Sequence, residues 1–268
     1  MNKSILISLL AIIIVAGGFF FWSRSEASVG SLNIYTGTTD IVRKDKTTAG
    51  KTGFGIREND VIKVRDNSRV SIILKDSSVI RLEAGSEVQV VKFIYKEGTV
   101  SEASFRLVSG KMWSKVEPLQ DNASWQIETP TTVSSVRGTQ YNVYYVGGIS
   151  GFFVYSGKIG VALLKNIGNK KILPESSQFI LKDDNLDLDF AQNPTILKPG
   201  EYDEWIIFNL IEDVKLEGKE FIIPTSPTGT TISVIQEAAT TTLEAVFPIT
   251  EESPKVKILT RILVSYTK

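Results

Sequence analysis

Residues 129–143 read TPTTVSSVRGTQYNV, and their local preferences conflict. Proline favours a turn, whereas the β-branched residues after it favour a strand. The dipeptide Arg137-Gly138 then interrupts a stretch that otherwise favours a sheet. Glycine within a strand pattern indicates a bulge or a close approach of two backbones. We therefore predict that Thr129-Pro130 starts a crossing, that TTVSSV forms one short strand, and that Arg-Gly-Thr redirects the chain into QYNVYYV.

The sequence around this stretch also favours strands. Short runs of β-branched and aromatic residues recur between residues 28 and 200, as in RVSIIL, EVQVVKFIY and KIGVALL. Apolar residues take alternate positions at Val70, Ile72 and Leu74, and again at Val88 and Val90, as in strands with one buried face. The pattern predicts an all-β fold, either a sandwich or a short β-solenoid-like domain of short antiparallel strands.

Segments rich in glycine, aspartate and serine separate these runs and are predicted as turns. KDSS at 75–78 separates two strands, VGGISG at 146–151 joins two more, and YSGK at 155–158 makes the next tight reversal. In FRLVSGKMWSKV, we place Gly110 in a turn between two strands.

The composition limits the classes of function. Of the 268 residues, 42% are hydrophobic and 22% are charged, as in folded rather than disordered proteins. The 30 Lys and Arg residues balance 30 Asp and Glu residues. Nucleic-acid binding draws on an excess of clustered basic residues, so we expect no nucleic-acid partner.

The chain contains no cysteine and no histidine, which excludes disulfides, Cys/His zinc sites and catalysis by an imidazole base. A Ser-Lys dyad remains conceivable. However, Ser114 and Lys115 are adjacent, so in a strand they point to opposite faces. Ser109 and Lys111 share a face only if Gly110 does not turn the chain. We therefore predict a protein without catalytic activity or cofactor.

The N-terminal segment from Ile5 to Trp22 has eighteen residues without a charge, enough to cross a bilayer as a helix. It ends in aromatic residues suited to a membrane interface, and Lys3 favours a cytoplasmic N-terminus. We predict a single-pass anchor, in contact with membrane lipid through residues 5–22. The alternative is a signal peptide cleaved near Ala27, which would give a secreted protein. In both cases residues 28–268 leave the cytoplasm.

These patterns divide the chain into an anchor and short linker at 1–27, a β domain at 28–165, a β extension at 166–215 and a C-terminal part at 216–268. Within 166–215, the stretch KPGEYDEWIIFNLIEDVK is predicted to contain a short helix. Its acidic residues precede the apolar ones, and acidic residues near the N-terminus stabilise a helix. The C-terminal part begins with a Pro/Thr-rich linker and ends in a strand or docking tail. The tail positions that would line one strand face are Val256, Ile258, Ile262 and Val264.

The acidic run KDDNLDLDF offers weak candidates for a metal site. Asp183, Asn185, Asp187 and Asp189 take alternate positions and would lie on one side of an extended segment, where their oxygens could bind Ca²⁺. The simpler interpretation is an edge strand with Leu186, Leu188 and Phe190 inside and the acids in solvent. We favour the edge strand and predict no metal site.

The order of the elements resembles the FecR domain, the extracytoplasmic domain of the iron-dicitrate regulator family. The resemblance covers roughly residues 50 to 165 and rests above all on a TP-x5-VRGT-x-(F/Y)-x-V pattern, followed by V-x-x-G-x-(I/V)-x-V. The matching residues are Thr129, Pro130, Val136, Arg137, Gly138, Thr139, Tyr141 and Val143, then Val154, Gly157, Ile159 and Val161. The later YDEWIIFN is similar to a segment often found after this domain.

The resemblance implies an exported, non-catalytic module that binds or senses and that acts in signal perception through a partner protein. Regulators of this family that control sigma factors carry a cytoplasmic sigma-binding helical domain before the membrane span, but here only Met1 to Ser4 precede it. We therefore expect no direct contact with a sigma factor. The alternative is an envelope scaffold that binds cell-wall glycan or a neighbouring envelope protein.

Arg137 and Thr139 are the candidate binding residues within the motif. Arg137 would present a cation to an anionic ligand or partner. In the structural alternative, which we favour, its guanidinium ties neighbouring carbonyls or a carboxylate such as that of Glu128.

Overall fold

The structure, a computed structural model, describes residues 28–218 and the two short strands 221–222 and 233–234. The chain forms two compact units that divide after Leu197. The predicted membrane-spanning segment 5–22 lies outside the described residues. Among the helices that the structure does describe, none is long and apolar enough to cross a membrane.

The first unit is built almost entirely of strands. In chain order they are β1 (Gly30–Thr36), β2 (Thr39–Arg43), β3 (Lys46–Ala49), β4 (Gly55–Ile56), β5 (Val61–Val64), β6 (Arg69–Leu74), β7 (Val79–Leu82), β8 (Glu87–Lys96), β9 (Thr99–Lys115), β10 (Ser124–Glu128), β11 (Thr132–Val136), β12 (Gln140–Val146), β13 (Ile149–Ser156), β14 (Ile159–Leu163), β15 (Asn166–Leu173), β16 (Ser177–Lys182) and β17 (Thr195–Ile196). A short helix, α1 (Leu186–Ala191), precedes β17. The all-β prediction is confirmed for this unit, and the sheet is open rather than closed.

The strands form two layers that share one strand. Sheet A has the order β4-β1-β6-β7-β9-β12-β13-β16-β17. Sheet B has the order β3-β2-β5-β8-β9-β10-β11-β14-β15. The β9–β10 pair is parallel and the other pairs are antiparallel. Strand β9 is thus the middle strand of both sheets, with the earlier strands on one side and the later strands on the other.

Strand β9 passes from sheet B to sheet A at Gly110. Ser109 pairs with Glu87 in sheet B, and Gly110 pairs with Tyr145 in sheet A. Gly110 has φ +92°, and a Cβ there would overlap Ser86, whose hydroxyl donates to Lys111 O at 2.9 Å. The predicted turn at Gly110 is therefore wrong. Glycine is needed here because a continuous strand bends sharply against a neighbouring backbone, a need that sequence alone does not distinguish from a turn.

The inner faces of both sheets share one hydrophobic core. Leu32, Ile72 and Phe152 come from sheet A, and Ile62 and Phe105 come from sheet B. Burial of such side chains stabilises the fold by about 1.5–3 kcal/mol each. The predicted alternation is confirmed, since the positions that it assigned to the core are all buried: Val70, Ile72, Leu74, Val88 and Val90.

The second unit contains a short 3-10 helix, Pro199–Glu201, followed by helix α2, Glu204–Glu217, and by the paired strands β18 (Phe221–Ile222) and β19 (Ser233–Val234). Helix α2 lies where the sequence predicts a short helix. Asp203 is the N-cap residue of the helix, and its carboxylate accepts from Ile206 N at 2.8 Å. Gly218, with φ +64°, is the C-cap residue. Most of the predicted linker and the whole C-terminal tail fall outside the described residues.

Candidate functional site

The Thr129-Pro130 segment is the turn of the hairpin between β10 and β11, both in sheet B. The predicted crossing at this point is therefore wrong. Thr129 N donates to Thr132 O at 2.9 Å, and the two side-chain hydroxyls lie 2.6 Å apart. Ser150 Oγ lies 3.1 Å from the Thr129 hydroxyl. Thr129 and Ser150 are both buried, so these hydroxyls stabilise the turn from within.

Arg-Gly-Thr at 137–139 carries the chain from β11 in sheet B to β12 in sheet A, as predicted. Gly138 has φ +80°, and a Cβ there would lie 3.0 Å from the Cα of Pro118. A larger residue would be strained by its backbone conformation and crowded by the loop before β10.

A second crossover, at Gly157-Lys158, takes the chain back from β13 in sheet A to β14 in sheet B. The predicted reversal in YSGK is therefore a passage between sheets and not a hairpin. Gly157 has φ +89°, and a Cβ there would lie 3.0 Å from both Gly138 O and Thr139 Oγ1. We call residues 137–139 and 157–158 the crossover pair.

Thr139 joins the two halves of the crossover pair. Its hydroxyl donates to Lys158 O at 3.2 Å, and its carbonyl accepts from Val116 N at 3.0 Å. The residue is buried, and its side-chain hydroxyl is already engaged. The structure thus places this candidate binding residue inside the frame rather than on its surface.

Arg137 is the charged residue of the motif, and 63% of its side chain is exposed. Its Nη2 donates to the carbonyl of Asp121 at 2.6 Å, whereas Nη1 lies 3.7 Å from the Asp121 carboxylate. Glu128 instead accepts from Arg106 at 3.2 Å, so the proposed contact with Arg137 is wrong. The guanidinium ties a neighbouring carbonyl, and the exposed ion pair adds little to stability.

Tyr141 and Val136 of the motif are buried in the core. The Tyr141 hydroxyl has no hydrogen-bond partner of standard geometry among the described residues. Burial raises the pKa of Tyr141 well above its ordinary value, and the nearby polar groups of Ser134, Trp125 and Ser114 lower it only in part.

The four weak metal candidates do not lie on one side of a strand. Residues Leu186–Ala191 form helix α1, so the predicted edge strand is wrong. Asp187 pairs with Lys165 at 2.7 Å, Asp189 accepts from Lys182 N at 2.8 Å, and Asp183 accepts from the Tyr145 hydroxyl at 2.6 Å. Asn185 lies before the first residue of α1 without a capping bond. In the described part of the chain, no three acidic side chains are placed to hold a metal ion.

Ser109 and Lys111, considered for a dyad, have other contacts, and Ser114 and Lys115 differ in burial. Ser109 Oγ donates to Gly85 O at 3.3 Å, and Lys111 Nζ lies 3.0 Å from Glu83. Ser114 is fully buried beside Trp113 in β9, whereas the Lys115 that follows is only half-buried.

A cleft of about 660 Å³ lies between the β14–β15 hairpin and α1, and sequence reasoning missed it. Its lining includes three lysines and one acid: Lys165, Lys170, Lys171 and Asp187. Phe190 of α1 also contributes to it. We call it the lysine cleft. A run of lysines near residue 170 was visible in the sequence, but nothing local predicted that α1 packs beside it.

Comparison with known families gives a match between residues 60–160 and the family described as FecR protein. The structure is similar to two crystal structures of a candidate anti-sigma factor from Parabacteroides distasonis ATCC 8503. The first, at 1.65 Å resolution, has 17% identity and a TM-score of 0.40; the second, at 2.50 Å, has 19% and 0.39. Each alignment covers 51% of this chain and 57% of the chain in the crystal structure. No curated protein matches the chain. The match to the family confirms, over residues 60–160, the resemblance read from the motif.

Proposed function

We propose that this chain is a non-catalytic sensing module of the cell envelope that passes its state on through a partner protein. Residues 5–22 would anchor it in the membrane, and residues 28–268 would lie outside the cytoplasm. The match of residues 60–160 to the FecR family carries the proposal. The hydrophobic N-terminal stretch supports the location.

The internal contacts of the motif support a non-catalytic role. The hydroxyls of Thr129 and Thr139 serve the turn and the crossover pair. The chain has no histidine or cysteine that could act as base or nucleophile at neutral pH. What the motif builds is a rigid frame, on which a binding surface is displayed.

Arg137 is the motif residue that we propose for contact with the partner. Its side chain is largely exposed, and among the described residues it donates one hydrogen bond, to the carbonyl of Asp121. The other N–H groups of its guanidinium face solvent, where they can form a hydrogen-bonded ion pair with a carboxylate of another protein. Thr139, which is buried, would act only by holding this arginine in place.

Co-purification from native membranes tests the proposal. The full chain, tagged at its C-terminus, is expected to fractionate with membranes, to retain Met1 and to bring down a membrane protein. Deletion of the gene is expected to change the transcript profile. A protein that pellets with isolated cell wall and leaves transcription unchanged would identify an envelope scaffold instead. A mature N-terminus at Ser28 in the soluble fraction would refute the anchor.

A further inference from the structure

Strand β15, Asn166–Leu173, is an open edge of sheet B. Among the described strands it pairs with β14 alone, which leaves one side of its backbone unpaired. Six of its eight residues are exposed. The register with β14 shifts between Ala162 and Leu163, so the regular part of the edge is 170–173. This part offers a template for one more short strand.

Apolar side chains lie exposed along this edge. Ile167 is 65% exposed and Ile172 is 57% exposed, and Leu164 just before the strand is also exposed. Lysines on an edge strand discourage pairing with a like-charged strand, whereas opposite charges on neighbouring strands are stabilising. The exposed isoleucines beside them add apolar area that a bound chain would cover.

The charge at this edge is positive. Lys165 is paired with Asp187 at 2.7 Å. By contrast, Lys170 and Lys171 have no carboxylate within ion-pair distance in the described part of the chain. The ammonium of Lys171 lies 5.5 Å from the ring centre of Phe179 and 5.7 Å from that of Phe190, which holds it beside the cleft.

We propose that β15 and the lysine cleft bind an extended acidic segment of the partner protein, which adds to sheet B as a further strand. Successive residues of β15 point to opposite faces. Leu173 is buried, so Lys171 shares the core-side face, whereas Lys170 and Ile172 share the other. A complementary segment carries two adjacent acidic residues, one on each face, so that Lys170 and Lys171 each meet a carboxylate across the strands, and an apolar residue opposite Ile172.

A second copy of this chain fits the edge poorly. Antiparallel pairing of two β15 strands would bring the lysines of one copy close to those of the other, and like charges on neighbouring strands are destabilising. The charge therefore favours an acidic partner over self-association. This inference rests on the proposed function for the existence of a partner, but it specifies the partner's chemistry separately.

Peptide binding tests the surface directly. The full chain in detergent is titrated into two fluorescein-labelled peptides of about eight residues, one with two adjacent glutamates at its centre among valines and one with lysines at those two positions. The glutamate peptide is expected to bind at least about tenfold more tightly, and less tightly as salt rises. Hydrogen exchange is expected to slow at β15 amides in the complex. Equal binding of the two peptides, or no slowing at β15, would overturn the proposal.

Charge reversal provides the matched control. The variant K170E/K171E is expected to lose the preference for the glutamate peptide and to prefer the lysine peptide. The control K46E, at the opposite edge of the same sheet, is expected to leave both affinities unchanged. If K170E/K171E does not fold, I172S tests the apolar contact with the charges intact and is expected to weaken binding at least about threefold. An unchanged preference in the reversed variant refutes the proposal.

The two proposals can fail separately. If the co-purified membrane protein is retained equally by K170E/K171E and by the wild type, the proposed function stands and this surface is wrong. If the glutamate peptide binds as expected but no membrane protein co-purifies, the surface stands and the sensing role is wrong. A wild type that is dimeric and becomes monomeric in K170E/K171E would assign the edge to self-association and refute the acidic partner.

Discussion

The crossover pair and the lysine cleft use polar residues in opposite ways. In the crossover pair, Thr139 bonds to Lys158 O, and Gly157 leaves room for the neighbouring backbone. At the lysine cleft, Lys170 is exposed and Lys171 lies against two phenylalanine rings, and neither has a carboxylate partner among the described residues. Exposed isoleucines lie beside them. The threonines and glycines of the motif thus hold the sheets together, whereas the edge that we propose for binding lies outside the motif.

Gly157→Ala gives the largest expected effect and tests whether the crossover pair is structural. A Cβ would lie 3.0 Å from Gly138 O, at φ +89°. Backbone strain and crowding together are expected to lower the free energy of unfolding by about 2–4 kcal/mol. Chemical denaturation followed by tryptophan fluorescence measures this, with K170A as the control. A loss below about 1 kcal/mol would show that the crossovers can move apart.

Thr139→Val is expected to have the next largest effect. The substitution keeps the shape of the side chain but removes the hydroxyl that donates to Lys158 O. The cost is expected to be about 1–2 kcal/mol, because the residue is buried and the carbonyl loses its partner. The fall in the unfolding midpoint measures it. If Thr139→Ser fails to retain most of the stability, the hydroxyl is not the group that matters.

Arg137→Ala is expected to have a small effect on stability. The side chain is exposed and its ion pair with Asp121 is long, so the change is expected to be about 0.5 kcal/mol or less. Its effect on capture of the membrane partner is expected to be larger, at least about threefold, because a bidentate contact would be lost. A large loss of stability with unchanged capture of the partner would show that Arg137 has only a structural role.

Tyr141→Phe is the one of these substitutions that is not expected to destabilise the fold at neutral pH. The hydroxyl is buried without a hydrogen-bond partner of standard geometry, so its removal is expected to stabilise the fold by up to about 1 kcal/mol. Burial raises the pKa of Tyr141 in the folded state, so the wild type loses stability as the pH rises above about 10, where the unfolded tyrosine ionises. The variant is expected to lose less over that range. If the wild type and the variant lose the same free energy of unfolding as the pH rises, this prediction is contradicted.

The sequence allowed good prediction of strands and poor prediction of what joins them. Alternation identified the buried faces of β6 and β8 because it depends only on which residues are apolar. Gly110 was misassigned because a bend within a strand and a hairpin turn make the same demand on the backbone. Helix α1 was misassigned because Leu186 and Phe190 fit both a strand face and one face of a short helix.

The candidate site was predicted only where it is continuous in the sequence. Arg-Gly-Thr was recognised as a redirection of the chain because glycine and its neighbours are adjacent. The contact of Gly157 with Gly138 joins segments nineteen residues apart and was invisible. The lysine cleft requires α1 to pack beside β15, and that packing follows from the whole sheet order rather than from local preference.

Because β9 belongs to both sheets, the two layers are mechanically continuous through the peptide backbone. Neither sheet can slide past the other without a change in the torsion angles near Gly110, where the strand leaves one sheet and enters the next. Side-chain packing between two separate sheets can yield gradually under shear, whereas a shared strand has a fixed contour length. A load applied to the β15 edge would therefore be transmitted across sheet B to β9 and through it into sheet A.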